Sequence, residues 1–174
     1  EQGLHRALEW ASLRPGTVIT GIYVFPASPE SNAGMKLPST IPFLELADQI
    51  CQKAKIPFKK RIVGGKEYRV LDAEIQNGDF DLLVIGASGA GASSPEEIGS
   101  VCEMVVKRTK IDILVISNSS FVAKGPILVA VDGSPNSFGG VLTALELGKQ
   151  RSLPVTMVSA FDSDYHKAVF NYME

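Results

Sequence analysis

Apolar residues recur along this chain at two alternating spacings, which predict helices and strands in turn. Spacings of three and four residues predict helices, and these fall in residues 4–11, 43–54, 68–77 and 100–110. Runs rich in β-branched and aromatic residues predict strands, and these fall in residues 17–25, 57–63, 81–86 and 111–117. Residues 26–42 are rich in Pro, Ser and Asn, which is typical of a loop. The chain therefore alternates helix and strand four times.

The strands are continuous apolar runs rather than alternating ones, as in Leu82–Ile85 and Ile113–Ile116. Such runs are typical of strands buried on both faces of a parallel sheet that helices cover. We therefore predict an α/β fold with a doubly wound, parallel, five-stranded sheet. Right-handed crossovers bring the carboxyl ends of such strands to one edge, where ligands bind.

The same pattern begins again after a short linker at 118–125. A strand is predicted at 126–131 and a turn at 132–135. A helix that ends at Gly148 follows, and a further strand is predicted at 155–161. The tripeptide Ala-Leu-Glu occurs at the same point of both helix–strand units, as Ala7–Glu9 and as Ala144–Glu146. The two copies are about one α/β domain apart, which indicates a duplication.

A duplication predicts two domains. The first covers residues 1–120 and lacks its opening strand, and the start of a second covers residues 121–174. The segment 126–132 shows what an opening strand looks like in this protein. In an alternative arrangement, the strand at 127–131 folds back and fills the gap in the first sheet, as in a circular permutation.

Composition and charge exclude several classes of protein. Apolar residues make up 45% of the chain and charged residues 21%, as in ordinary globular proteins. The net charge of −2 provides no basic face for nucleic acid, and no apolar run reaches the roughly 18 residues of a membrane span. Cys51 and Cys102 fall in helical apolar patterns, so we expect buried thiols in a reducing, cytoplasmic compartment. His5 and His166 show no metal-ligand spacing, so no metal site is predicted.

A glycine-rich loop follows the strand at 81–86 and leads into the helix that begins near Ser100. Gly86, Gly89 and Gly99 in this loop form the pattern Gly-x2-Gly-x9-Gly-Ser together with Ser100. A loop without Cβ atoms at the N-terminus of a helix offers backbone N–H groups and a positive dipole to a phosphate. The pattern therefore predicts a phosphate-binding loop.

These motifs resemble those of the universal stress protein family, whose nucleotide-binding members carry Gly-x2-Gly-x9-Gly-Ser/Thr after their fourth strand. Val131-Asp132-Gly133-Ser134 resembles the end of the family's first strand, and residues 105–117 look like its last helix and strand. The resemblance covers nearly the whole chain. It implies tandem domains of the ATP-binding type, with a Rossmann-like sheet.

The resemblance also implies which residues hold the nucleotide. Val24 and Ile85 would lie near the adenine or ribose, Gly86 and Gly89 would line the ribose and phosphates, and Asp132 would contact the adenosine end in the second copy. The phosphates would be capped by Gly99, Ser100 and Val101. No catalytic residues and no metal ligands are implied.

Other interpretations of the loop fit this sequence less well. In the segment 89–94, Ser94 replaces the third glycine of the dinucleotide-binding motif, and the loop follows a late strand rather than the first. No GxxxxGK[ST] motif occurs. A tight connection that holds no ligand stays open.

We therefore expect an adenine-nucleotide-binding regulatory protein, with ATP as cofactor, with or without Mg²⁺. It would act by nucleotide-dependent partner binding rather than as an enzyme, with at most weak ATP hydrolysis, since no nucleophile–base arrangement is evident. Pairing through the last strand at 111–117 would form a homodimer or join tandem domains. The alternative is an interaction module of the same fold that binds no nucleotide. The acidic segment Pro95–Glu97 favours it, because two carboxylates oppose a bound triphosphate. The resemblance also has two departures, since many family members carry a basic residue where this chain has Ala90, and usually aliphatic residues where it has Pro95–Glu97.

Overall fold

The structure is a computed structural model that describes residues 2–25, 41–89, 98–117 and 125–160. The chain divides into two compact units, Glu1–Ser119 (unit 1) and Ser120–Glu174 (unit 2). Most of the predicted loop at 26–42 lies outside the described residues. Within the described part of the chain, no helix combines the length and apolar character needed to cross a membrane.

Unit 1 alternates helices and strands, which confirms the predicted order. The elements are α1 (Gln2–Ser12), β1 (Ile19–Phe25), α2 (Pro42–Lys53), β2 (Phe58–Gly64), α3 (Glu67–Asn77), β3 (Leu82–Gly86), α4 (Ser100–Arg108) and β4 (Asp112–Ile116). Most boundaries lie within two residues of the prediction. Periodicity locates these elements well because each one has an apolar side to bury.

The four strands of unit 1 form two parallel pairs. β1 pairs with β2 and β3 pairs with β4, in registers that match Ile19 to Phe58 and Leu82 to Asp112. Among the described residues, no hydrogen-bond ladder joins β1 to β3. Helices connect the two pairs instead, since α1 packs on β3 and α3 packs on β1. The structure thus shows an α/β arrangement with parallel strands in pairs, rather than one continuous sheet.

A cavity of about 440 Å³ lies between β1 and β3. Its lining is mainly apolar and includes Trp10, Ile22, Phe43, Ile75 and Leu83. The strands beside it are half-buried, so the prediction that they are buried on both faces is wrong here. The physical reason is that β1 and β3 each have a described neighbour on only one side.

The most buried side chains of unit 1 lie on its helices. Leu44 and Cys51 on α2, and Cys102 and Val105 on α4, have relative exposures of at most 3%. The prediction that both cysteines are buried is confirmed, and neither forms a disulfide. Burial raises the pKa of both thiols, so they remain neutral at physiological pH.

Unit 2 consists of β5 (Ile127–Ala130), α5 (Pro135–Arg151) and β6 (Val155–Val158). β5 pairs in parallel with β6. Among the described residues, no strand of unit 1 pairs with β5. The start of α5 is well defined, because the Ser134 hydroxyl accepts a hydrogen bond of 3.2 Å from the Ser137 N–H.

Gly148 has a different role from the predicted one. We expected α5 to end there, but the helix continues to Arg151 and ends at Ser152, whose φ of 53° is left-handed. A Cβ on Gly148 would lie 2.6 Å from Cγ2 of Val155 and 2.9 Å from the carbonyl oxygen of Leu153. The glycine therefore allows the chain entering β6 to approach the helix closely, which local sequence does not distinguish from a helix stop.

Candidate functional site

Two backbone hydrogen bonds bring the end of β3 to the start of α4. The Ala87 N–H donates to the Ile116 carbonyl at 2.8 Å, which extends the β3–β4 ladder past Gly86. The Gly99 N–H then donates to the Ala87 carbonyl at 2.7 Å. The N-cap of α4 therefore lies directly beside the end of β3.

The three glycines of the pattern lie close together, and each leaves a different amount of space for a side chain. A Cβ on Gly99 would lie 3.4 Å from both the Ala87 carbonyl oxygen and the Gly89 nitrogen, which is a tight fit. A Cβ on Gly86 would lie 3.5 Å from the Ser88 carbonyl oxygen, and one on Gly89 would meet no atom of the described residues within 4 Å. None of the three has a positive φ. They therefore provide close approach and open space rather than a left-handed turn.

The N-terminus of α4 presents backbone donors that have no acceptor within the helix. Gly99 is the N-cap residue and has no side chain to cap the helix. The first intrahelical bond runs from the Glu103 N–H to the Gly99 carbonyl at 3.0 Å. The N–H groups of Ser100 and Val101 accordingly have no acceptor within the helix. Together with the helix dipole, they favour an anion at this position.

The first turn of α4 carries little negative charge that would repel an anion. Lys107 lies 2.6 Å from the Glu103 carboxylate and lowers its pKa, so this ion pair offsets the negative charge. The acidic pair Glu96–Glu97 and Ala90 lie outside the described residues. Within the described ranges, no three His, Cys, Asp or Glu side chains come together as a metal site.

The structure groups most of the predicted site residues of unit 1. Those at the junction of β3 and α4 are Ile85, Gly86, Gly89, Gly99, Ser100 and Val101. Ile85 is half-buried and is the penultimate residue of β3. Val24 is likewise the penultimate residue of its strand, but it pairs with Val63 in the other strand pair. Among the described residues, no hydrogen bond connects Val24 to the glycine loop.

Asp132 lies in unit 2 and has a local structural role there. Its Oδ1 accepts a hydrogen bond of 2.9 Å from the Ser134 N–H, in the turn where Gly133 has a φ of 82°. Hydrogen bonding from Ser134, then from Ser137, lowers the pKa of Asp132 to about 2. The carboxylate is exposed and charged at neutral pH, and it shapes the turn that precedes α5.

Sequence patterns did not identify two residues of the junction. Ala87 contributes its carbonyl oxygen as the acceptor for Gly99, and its side chain is only 8% exposed. Ile98 comes directly before the N-cap and is 60% exposed, as are several other large apolar residues of the described chain. The signal for Ile98 is its place as a lone aliphatic residue between Glu97 and Gly99.

Comparison with known proteins agrees with this arrangement. The model of the universal stress protein family matches residues 1–117, which include all of the elements α1 to β4. The chain belongs to the universal stress protein family. Curated universal stress proteins of Mycobacterium bovis and Mycobacterium tuberculosis are 32% identical to it over 92 residues, or 51% of this chain. The chain spans 31% of the length of these relatives.

One solved structure shares the fold over nearly the whole chain. A universal stress protein from Archaeoglobus fulgidus matches 98% of this chain and 66% of its own, with a TM-score of 0.58 and 17% identity. Another solved universal stress protein, in complex with cAMP, matches 66% of this chain and 84% of its own, with a TM-score of 0.48 and 20% identity. The bound cAMP is a property of that protein.

Proposed function

We propose that this universal stress protein binds an adenine nucleotide, namely ATP, at the junction of β3 and α4. The observation that carries the proposal is the hydrogen bond from the Gly99 N–H to the Ala87 carbonyl, which holds the start of α4 against the glycine loop. Phosphate oxygens would accept from the N–H groups of Ser100 and Val101, in the space that Gly89 leaves open. The ribose would lie by Ile85 and Gly86.

We propose regulation by binding rather than turnover. The donors at the junction are backbone N–H groups, and the described carboxylate nearest in sequence, Glu103, is paired with Lys107. The nucleotide would order the loop and change the surface shown to a partner, with Mg²⁺ accompanying the phosphates or not. The two buried free cysteines support a cytoplasmic location, where thiols stay reduced.

Calorimetry with ATP, with and without Mg²⁺, tests this function on the intact chain. We expect a Kd in the micromolar range, which corresponds to a binding free energy of about −8 kcal/mol. Gly99→Asp places a Cβ and a negative charge at the helix N-terminus, and we expect it to weaken binding at least about tenfold. Gly125→Asp is the matched control, because a Cβ there would meet no described atom within 4 Å. Absence of binding at millimolar ATP would contradict the proposal and favour the interaction module.

We also propose that the protein pairs with a second copy, or with a tandem domain, through β4. β4 has a described neighbour only in β3, and its Val115 side chain is 40% exposed. An apolar strand with a free edge tends to find another strand. Sedimentation of the wild type and of Val115→Lys, with Val106→Lys on α4 as the control, should show loss of the dimer only for Val115→Lys. A monomeric wild type would refute homodimer formation.

We further propose that a fifth strand completes the sheet of unit 1 between β1 and β3. The unpaired facing edges and the apolar cavity of about 440 Å³ between them support this position. A strand there needs an apolar sequence on both faces, such as that of β5, whose residues Ile127–Ala130 are all apolar. This would produce the five-stranded doubly wound sheet that the sequence predicts.

A further inference from the structure

Three cationic side chains surround the ring of Tyr68 at the contact between α3 and α4. The Lys66 Nζ lies 5.1 Å from the ring centroid, and the guanidinium carbons of Arg108 and Arg69 lie 5.4 Å and 5.9 Å from it. The Arg69 Nε also donates to the Tyr68 hydroxyl at 3.3 Å. Tyr68 itself is only 9% exposed, while the three cations are exposed. The ring therefore lies beneath a compact positive surface, which we call the Tyr68 cluster.

No carboxylate balances this charge among the described residues. None of the three cations has a carboxylate oxygen within 4.0 Å, and this includes Glu67, which follows Lys66 directly. Other exposed cations of the same unit are paired: Lys60 lies 2.8 Å from Glu45, and Arg61 lies 2.6 Å from Glu74. The cluster thus differs in holding several cations together without a described counter-ion.

Attraction to the aromatic ring accounts for only part of this arrangement. Cations favour the faces of a ring, where the quadrupole is negative. A ring has two faces, so three cations cannot each have a face of their own. Repulsion among them remains, and it would be relieved by an anion that contacts two or three of them from the solvent side.

We propose that Lys66, Arg69 and Arg108 bind a phosphoryl dianion. A single carboxylate carries one charge, whereas a phosphoryl group carries up to two and offers three acceptor oxygens. Two guanidinium groups and an ammonium group provide donors of the kind that bind such oxygens through charge-assisted hydrogen bonds. The phosphoryl group belongs either to free phosphate or to a phosphorylated side chain of a partner protein. This site is separate from the β3–α4 junction and does not depend on nucleotide binding there.

NMR titration of the intact chain with inorganic phosphate tests the proposal. The readouts are the ring signals of Tyr68 and the backbone amides of Arg69 and Arg108, at constant ionic strength maintained with chloride. We expect saturable shifts with phosphate and none with chloride. The double variant Arg69→Gln/Arg108→Gln should weaken phosphate binding at least about tenfold. Lys149→Gln on α5 removes one exposed charge elsewhere and should leave the affinity unchanged.

Several outcomes of the phosphate titration would refute the proposed site. Shifts that do not saturate, that chloride reproduces, or that persist in the double variant would refute the site. Phosphate-dependent shifts confined to the amides of Ser100 and Val101 would also refute it, since they would place the anion at the junction. Tyr68→Phe keeps the ring and removes the hydroxyl, so unchanged affinity in this variant would agree with the proposed role of the cations.

A second titration identifies the source of the phosphoryl group. A short phosphoserine peptide is compared with its unphosphorylated form and with inorganic phosphate. An affinity for the phosphopeptide more than tenfold above that for phosphate would support the site with a phosphorylated partner as the source. Equal affinities would support it with free phosphate as the source. Equal binding of both peptides would contradict recognition of a phosphoryl group.

Discussion

The backbone N–H of Gly99 donates to the carbonyl of Ala87 across 2.7 Å, and this bond joins the N-cap of α4 to the first residue after β3. Both partners are backbone groups, so the bond does not depend on the side chains of the intervening loop. It sets the distance between the glycines and the first N–H groups of α4, which have no acceptor within the helix. The helix N-terminus of a phosphate site at this point would be in position before the ligand arrives, and the ligand would then order the loop.

Alanine substitution should separate the two roles of the loop glycines. Gly89→Ala adds a methyl group that meets no atom of the described residues within 4 Å, so the free energy of unfolding should change by less than about 0.5 kcal/mol. The same methyl group occupies the space proposed for phosphate, so ATP affinity should fall. Urea denaturation and calorimetry measure the two effects. ATP affinity equal to that of the wild type would place the phosphates elsewhere.

The glycines of α5 should respond in opposite directions to alanine. Gly148→Ala would place a Cβ 2.6 Å from Val155 and 2.9 Å from the Leu153 carbonyl oxygen, so we expect destabilisation of about 1–3 kcal/mol. Gly140→Ala adds a Cβ that meets no described atom within 4 Å, so it should stabilise the helix by up to about 1 kcal/mol. Denaturant unfolding followed in unit 2 measures both. Stabilisation by Gly148→Ala would show that β6 does not approach the helix as closely as described.

The charge of Asp132 should make unit 2 sensitive to acid. Its pKa is about 2 in the folded chain and 3.8 without these contacts, so the charged form favours folding. The resulting stability is fully present above about pH 4 and is lost as the pH falls towards 2. We expect Asp132→Asn to be less stable than the wild type at pH 6, with a difference that disappears near pH 2. A difference that does not depend on pH would assign the effect to the turn geometry instead.

Both thiols should be unreactive in the folded chain. Cys51 is 0% exposed and Cys102 is 3% exposed, and burial raises the pKa of each. Since the thiolate is the reactive form, alkylation by iodoacetamide at pH 8 should be slow for both residues and fast in denaturant. Mass spectrometry of each cysteine-containing peptide measures the rates. Rapid alkylation of Cys102 in the native chain would show that α4 opens readily.

A peptide with the sequence of β5 should bind in the cavity between β1 and β3. The segment 126–133 carries the β5 sequence, and a synthetic copy with a lysine tail would supply a strand that is apolar on both faces. We expect it to raise the melting temperature of the intact chain in proportion to its concentration, because a ligand that binds only the native state stabilises it. A scrambled peptide of the same composition is the control. Equal shifts in melting temperature with both peptides would contradict specific binding of a strand in this cavity.

The amino-acid sequence by itself determined the order and type of the elements in unit 1, the burial of Cys51 and Cys102, and the glycine loop between a strand and a helix. These features are local, because the spacing of apolar residues records which side of each element is buried. The pattern Gly86, Gly89 and Gly99 is also local, and it required only the strand before it and the helix after it.

Tertiary structure alone decided the remaining features. The role of Gly148 depends on how closely Val155 approaches, and the half-burial of the strands depends on which strands have neighbours. The cluster around Tyr68 needs Arg108, which lies 40 residues away in sequence and on another helix. These relationships join residues that are distant along the chain, and no local periodicity encodes the distance or the direction of such contacts.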